Sequence, residues 1–81
     1  MTGRIVPISA KKTIKALEKL GFVQLRQKGS HLFMQHPDGR STIVPVHAGK
    51  DIGKGMIRKI INDVKLSRDE WIDLINSLII F

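Results

Sequence analysis

The 81-residue chain contains no cysteine, which excludes disulfides and thiolate zinc sites together and leaves the fold to rest on its apolar core. It also has no tyrosine and only one tryptophan. Acid–base chemistry near neutral pH therefore falls to the three histidines, since no other side chain has an ordinary pKa in that range. Carboxylates are scarce: seven Asp+Glu stand against fourteen Lys+Arg, a net charge of +7. That balance points to a polyanionic partner. No apolar run approaches the roughly 18 residues that a membrane-spanning helix needs. The opening MTGRIVPIS is apolar only from Ile5 to Ile8 and is interrupted by Pro7, so no export or insertion signal is read there and a cytoplasmic protein is expected, with no membrane partner. With no repeat, low-complexity tract or linker, residues 1–81 are expected to form a single domain.

Hydrophobic content of 42% with 26% charged residues is ordinary for a globular chain. The charge is unevenly spread. Residues 1–30 carry Arg4, Lys11, Lys12, Lys15, Lys19, Arg26 and Lys28 against Glu18 alone, whereas residues 61–81 carry Lys65 and Arg68 against Asp63, Asp69, Glu70 and Asp73. Taken singly, each lysine of 11–19 reads equally well as part of a solvated helix face.

Ser9 is placed to cap a first helix in which Ala10, Ile14, Leu17 and Leu20 recur at helical spacing, and Gly21 supplies its stop. From Phe22 to Gln27 the residues nearly alternate, which predicts a half-buried strand. Lys28-Gly29-Ser30 is a turn, and residues 31–36 form a second strand. His36-Pro37-Asp38-Gly39 has the pattern of a type I turn, and residues 41–46 form a third strand whose Pro45 belongs at an edge or a strand end. Three glycines within 47–55 predict a loop. A second helix is expected from about Gly55, with Met56, Ile57, Ile60, Ile61 and Val64 on one stripe. Ser67 and Glu70 form a capping box for a third helix, whose Trp71, Ile72, Leu74, Ile75, Leu78 and Ile79 read as core, and the chain ends on Ile80-Phe81. The expectation is an α+β fold: helix, three antiparallel strands, helix, then a C-terminal helix. With the helices on one face of the sheet, its other face stays open.

His31 is the best-placed titratable group. It follows a turn that offers the cation of Lys28, the hydroxyl of Ser30 and exposed amides made accessible by Gly29, a set able to hold a phosphodiester beside an imidazole. His31 and His36 are five apart, so in a regular strand they project from opposite faces and cannot share a metal. No metal site or cofactor is expected. His36 reads as a turn-capping surface residue. Lys50 and Lys54 flank the start of the second helix, where free amides favour anions.

These residues carry a resemblance. Arg26-Gln27-Lys28-Gly29-Ser30-His31, His36-Pro37-Asp38-Gly39, Val44-Pro45-Val46-His47, Gly49-Lys50-Asp51-Ile52 and Lys54-Gly55, in that order, resemble the HicA family of toxins from toxin–antitoxin pairs, over residues 9 to about 75. The resemblance implies a fold like a double-stranded-RNA-binding domain and an endoribonuclease acting on messenger RNA (an mRNA interferase). Its catalytic histidine maps onto His31, and a HicB-type antitoxin covers the site. On that reading Arg26, Lys28, Gly29, Ser30, His47, Lys50 and Lys54 hold the RNA, and His47 is the candidate second acid–base group. The ribose 2′-hydroxyl supplies the nucleophile, so no metal is required. The alternative from another class is a non-catalytic RNA-binding module of the same fold, using Lys50, Lys54, Arg58 and the Lys11–Lys19 helix for phosphate and 2′-hydroxyl contacts.

Overall fold

The computed structural model describes residues 3–78; Ile79, Ile80 and Phe81, expected at the end of the last helix, lie outside the described residues. The elements are β1 (Ile8–Ser9), α1 (Ala10–Leu20), β2 (Val23–Lys28), β3 (His31–Gln35), β4 (Ser41–Pro45), β5 (Asp51–Ile52), α2 (Lys54–Asp63) and α3 (Arg68–Ser77). Local chemistry sets the ends of α1. Ser9 Oγ accepts from the Lys12 amide, and Gly21, at φ 107°, lets its own amide reach Glu18 O while Phe22 N reaches Leu17 O. That double closure is the Schellman motif, which a residue with a Cβ adopts only under strain. At α3 the capping box is complete, with Glu70 N on Ser67 Oγ at 3.0 Å and Ser67 N on Glu70 Oε1 at 2.7 Å. The Ser67 backbone N–H, stabilising the ionised form, holds the Glu70 carboxyl below its ordinary value.

The antiparallel sheet runs β2-β3-β4 with β3 in the centre. Leu32, Met34, Thr42 and Val44 point to one face and are buried there with Leu17, Ile57, Ile60, Val64 and Trp71. The buried hydroxyl of Thr42 donates to Asp63 Oδ2 at 2.9 Å, tying β4 to the end of α2. This is the α+β, double-stranded-RNA-binding-domain-like arrangement expected from the sequence, with the helices against one face of the sheet. α3 adds Trp71 and Ile72 to the core and packs on α1, where Lys19 Nζ donates to Ser77 Oγ at 2.9 Å.

Three expectations are corrected. β2 is not half-buried: every residue of Val23–Lys28 is exposed, because α1 and α2 pack over β4 and leave the opposite edge projecting. Met56 leaves the apolar stripe of α2 and is 41% exposed, one position before the row Ile57, Ile60, Ile61 and Val64 turns into the core. The glycine-rich loop contains β5, which pairs with β1 through Ile8↔Ile52 and Ser9↔Asp51. Ile5, Ile8 and Ile52 are thereby buried.

Candidate active site

The β2–β3 hairpin closes through Gly29-Ser30. Gly29 sits at φ 59°, and Lys65 is the only non-glycine with positive φ among the described residues, so the turn follows type II′, with glycine at the first central position. Lys28 and His31 are consequently direct cross-strand partners. One row further, the register slips between Gln24 and Arg26, a β-bulge at Leu25. Strict alternation counted from Val23 would send Arg26 and Lys28 to the helix side of the sheet. The bulge resets the parity, so that both point to the open face together with Val23 and Leu25. Opposite them on that face lie Phe33 and Ile43, and the Arg26 guanidinium lies 5.0 Å from the Phe33 ring centroid.

His31 is exposed on this helix-free face, between Lys28 on β2 and Pro45 on β4. Beyond Pro45 the row opens into a cleft of about 170 Å³ shared by His47, Lys50, Asp51, Gly53 and Met56. On the other side of His47 and Lys50 a groove of about 400 Å³ reaches Ser9 and Lys11 at the start of α1. Lys54 opens α2 just after Gly53, a cap with no side chain, so the first amides of the helix are left to solvent or a ligand. Among the described residues, no carboxylate lies within ion-pair distance of Arg26, Lys28, Lys50 or Lys54; the ion pairs formed are Arg40–Asp38, Lys59–Asp63 and Arg68–Asp69. The expected site residues therefore fall into two groups. Arg26, Lys28, Gly29, Ser30 and His31 share one hairpin, while His47, Lys50 and Lys54 lie across Pro45 at the head of α2. Ser30 joins the groups through its carbonyl, which accepts from Val46 N at 2.7 Å.

His36 has a different role. Its Nε2 lies 3.1 Å from Leu20 O, its Nδ1 accepts from the Asp38 amide at 3.0 Å, and its ring stands edge-on to Phe22 at 5.2 Å. Because Leu20 O is a carbonyl and only accepts, Nε2 is the ring nitrogen that donates there. The turn-capping expectation holds, but the residue is more than a surface cap, since it also clips the end of α1 to the β3–β4 turn. Gly21 lies against it so closely that a Cβ there would meet Nε2 at 2.9 Å. Beside it Arg40 binds Asp38 at 2.8 Å and Val64 O at 2.6 Å, and the Arg40 backbone N–H, with that guanidinium, holds the Asp38 carboxyl below its ordinary value. His36 is on the helix side and His31 on the open side, as their spacing predicted. His36→Ala is expected to cost about 1.5–4.5 kcal/mol in urea unfolding, the sum of two hydrogen bonds and one aromatic contact, without altering any activity carried by the open face.

Phe33 is the residue that sequence reasoning left out of the site. A lone Phe in a strand carries no signal of its own; its spacing of two puts it on the face of His31, and only the register shows that Arg26 stands opposite it. Among the described residues no group of three or more His, Asp or Glu side chains gathers as a metal would require, and no helix is long and apolar enough to cross a membrane.

No curated protein matches the chain. Residues 10–66 do match a family described as the HicA toxin of bacterial toxin–antitoxin systems. The match begins with α1, takes in the whole β2-β3-β4 sheet and α2, and ends one residue before the Ser67 cap, so it stops short of the position near 75 expected from the sequence and leaves α3 as an addition. Because it spans well over half of the sequence and contains both groups of site residues, the chain belongs to the HicA family of toxins of bacterial toxin–antitoxin pairs.

Proposed function

We propose that this toxin is an endoribonuclease that cleaves messenger RNA without a metal ion, with His31 as its catalytic residue and a HicB-type antitoxin as the partner that covers the site in the cytoplasm. The observation that carries the reading is the position of His31: an exposed imidazole on the helix-free face, in register with Lys28, on a row that continues past Pro45 to His47, Lys50 and Lys54. A phosphodiester laid along this row has cations on both sides and a proton-transferring group at its centre.

In this mechanism the ribose 2′-oxygen attacks the adjacent phosphorus, the O2′–P bond forms and the P–O5′ bond breaks. His31 takes the 2′-hydroxyl proton or returns one to the departing 5′-oxygen. Lys28 and the amides of the Gly29-Ser30 turn stabilise the phosphorane charge. His47 lies two residues beyond the Pro45 that faces His31, and it supplies the complementary proton transfer when RNA bridges the two groups; a water molecule is the other candidate. The products are a 2′,3′-cyclic phosphate and a 5′-hydroxyl.

The test is cleavage of a defined single-stranded transcript in excess EDTA, with the ends identified by mass spectrometry. Full activity with cyclic-phosphate ends is expected. Strict dependence on added divalent cation, or 5′-phosphate products, refutes the proposal, and RNA binding without cleavage by antitoxin-free protein shifts it to a non-catalytic binding module.

A further inference from the structure

The open face of the sheet carries more than the row of His31. One row away, exposed Leu25 (57%) and Ile43 (36%) flank the half-buried ring of Phe33 to form an apolar strip, with Val23 at 53% exposure beside it. The strip borders a depression of about 440 Å³ that runs from Leu25, Phe33 and Ile43 round to Lys59 and Asp63 of α2, the Asp63 carboxylate being tied up by Thr42 and Lys59. An uncovered apolar strip on a soluble face marks a binding surface. Its surroundings state which kind. Arg26 lies over the Phe33 ring, and Lys28 occupies the next row, neither paired with a carboxylate among the described residues. Beyond the strip, Gln35 and Ser41 face each other across β3 and β4, an amide and a hydroxyl that can both donate and accept hydrogen bonds. An aromatic ring, a guanidinium plane and flanking cations suit a ligand that alternates flat π-faces with negative charge.

We propose that this face is a stacking platform for single-stranded RNA, on which one base stacks against Phe33 and the Arg26 guanidinium and so determines which nucleotide is presented to His31. The proposal rests on the RNA-cleaving reading above and adds to it a residue that sets substrate position. Phe33 and His31 are two residues apart on one face of β3, about 6.6 Å along the strand, so a base held on Phe33 keeps its nucleotide beside the imidazole. Bases of a duplex are already stacked on each other and cannot reach a protein ring. The platform therefore selects unpaired RNA, although the fold is that of a duplex-binding domain. The bulge at Leu25 is the structural device that assembles it, because it brings Arg26 onto the face of Phe33.

The test uses the full chain and a 2′-O-methylated single-stranded ten-nucleotide RNA carrying one 2-aminopurine, which binds without being cut. Phe33→Leu is expected to weaken binding by roughly five- to 150-fold, the range for losing one base–aromatic stack, and to abolish the fluorescence quenching of the stacked base. Phe33→Trp should restore both, a rescue that a purely structural role of Phe33 would not give. Affinity for the same sequence as a duplex should be unchanged by Phe33→Leu. Wild-type protein that cleaves RNA, with Phe33→Leu binding the single strand as tightly, overturns the platform and leaves the nuclease standing. Wild-type protein that binds the methylated strand with quenching but never cuts the unmethylated strand of the same sequence supports the platform and removes the nuclease. Loss of binding to a co-expressed antitoxin, with RNA affinity intact, assigns the face to a protein partner instead and refutes the proposal.

Discussion

Substitution of His31 by Ala is expected to lower RNA cleavage by about 10²- to 10⁴-fold, the range that a positioned acid–base group contributes, and to relieve growth arrest on expression. The same variant should keep its melting transition, because His31 is exposed and its side chain has no hydrogen-bond partner among the described residues; exposed substitutions of this kind stay within about 0.5 kcal/mol. RNA affinity should also persist, since one imidazole adds little beside fourteen Lys+Arg. The contrast with His36 is the control. Two histidines five positions apart should give opposite outcomes, one losing cleavage at constant stability and the other losing stability at constant cleavage per folded molecule. If His31→Ala unfolds the protein, the histidine is structural. If it cuts RNA at the wild-type rate, catalysis lies elsewhere.

The second large effect is electrostatic. RNA affinity should fall steeply with salt, because binding through phosphates releases condensed counterions, and each phosphate neutralised on a single strand contributes about 0.7 to the slope of log K against log salt. Reversing Lys50 and Lys54 together to Glu should lower that slope by about 1.4 or more and reduce affinity most at low salt. The prediction follows from their placement. Both are exposed, neither has a carboxylate within ion-pair distance among the described residues, and they bracket Gly53 at the uncapped start of α2. Binding isotherms between about 50 and 300 mM salt check it, a range over which the Debye length falls from roughly 14 to roughly 6 Å. A double variant with the wild-type slope would mean that these lysines are solvated and that the phosphate track does not cross Pro45.

Both effects depend on the same feature of the fold. Among the described residues the helices pack on one face of β3 and β4, so the other face presents a polar row and an apolar strip to solvent. On the proposed reading the site lies on a flat, uncovered surface, which a covering antitoxin reaches as easily as substrate does.

Much of this was legible in the chain itself, wherever the determining interaction is short in sequence. Ser9 reaches Lys12, Gly21 closes on Glu18, Ser67 and Glu70 satisfy each other, and Gly29 and Gly39 take the positive φ that their turns require. Each is settled within three or four residues, so residue type is enough to predict it. The fold class, the place of Pro45 at the end of an edge strand and the opposed faces of His31 and His36 follow from such local rules plus periodicity. What only the tertiary structure decided depends on pairing between distant segments. Ile8 and Ile52 meet across most of the chain to make β1 and β5, and no local pattern encodes that encounter. The helices settle over β4 rather than β2, so an alternating stretch that reads as half-buried is exposed throughout. The bulge at Leu25 is set by the mismatch between β2 and its partner β3. Side chains on a strand alternate with a period of two, so that single extra residue decides whether Arg26 and Lys28 face the helices or stand beside Phe33 and His31.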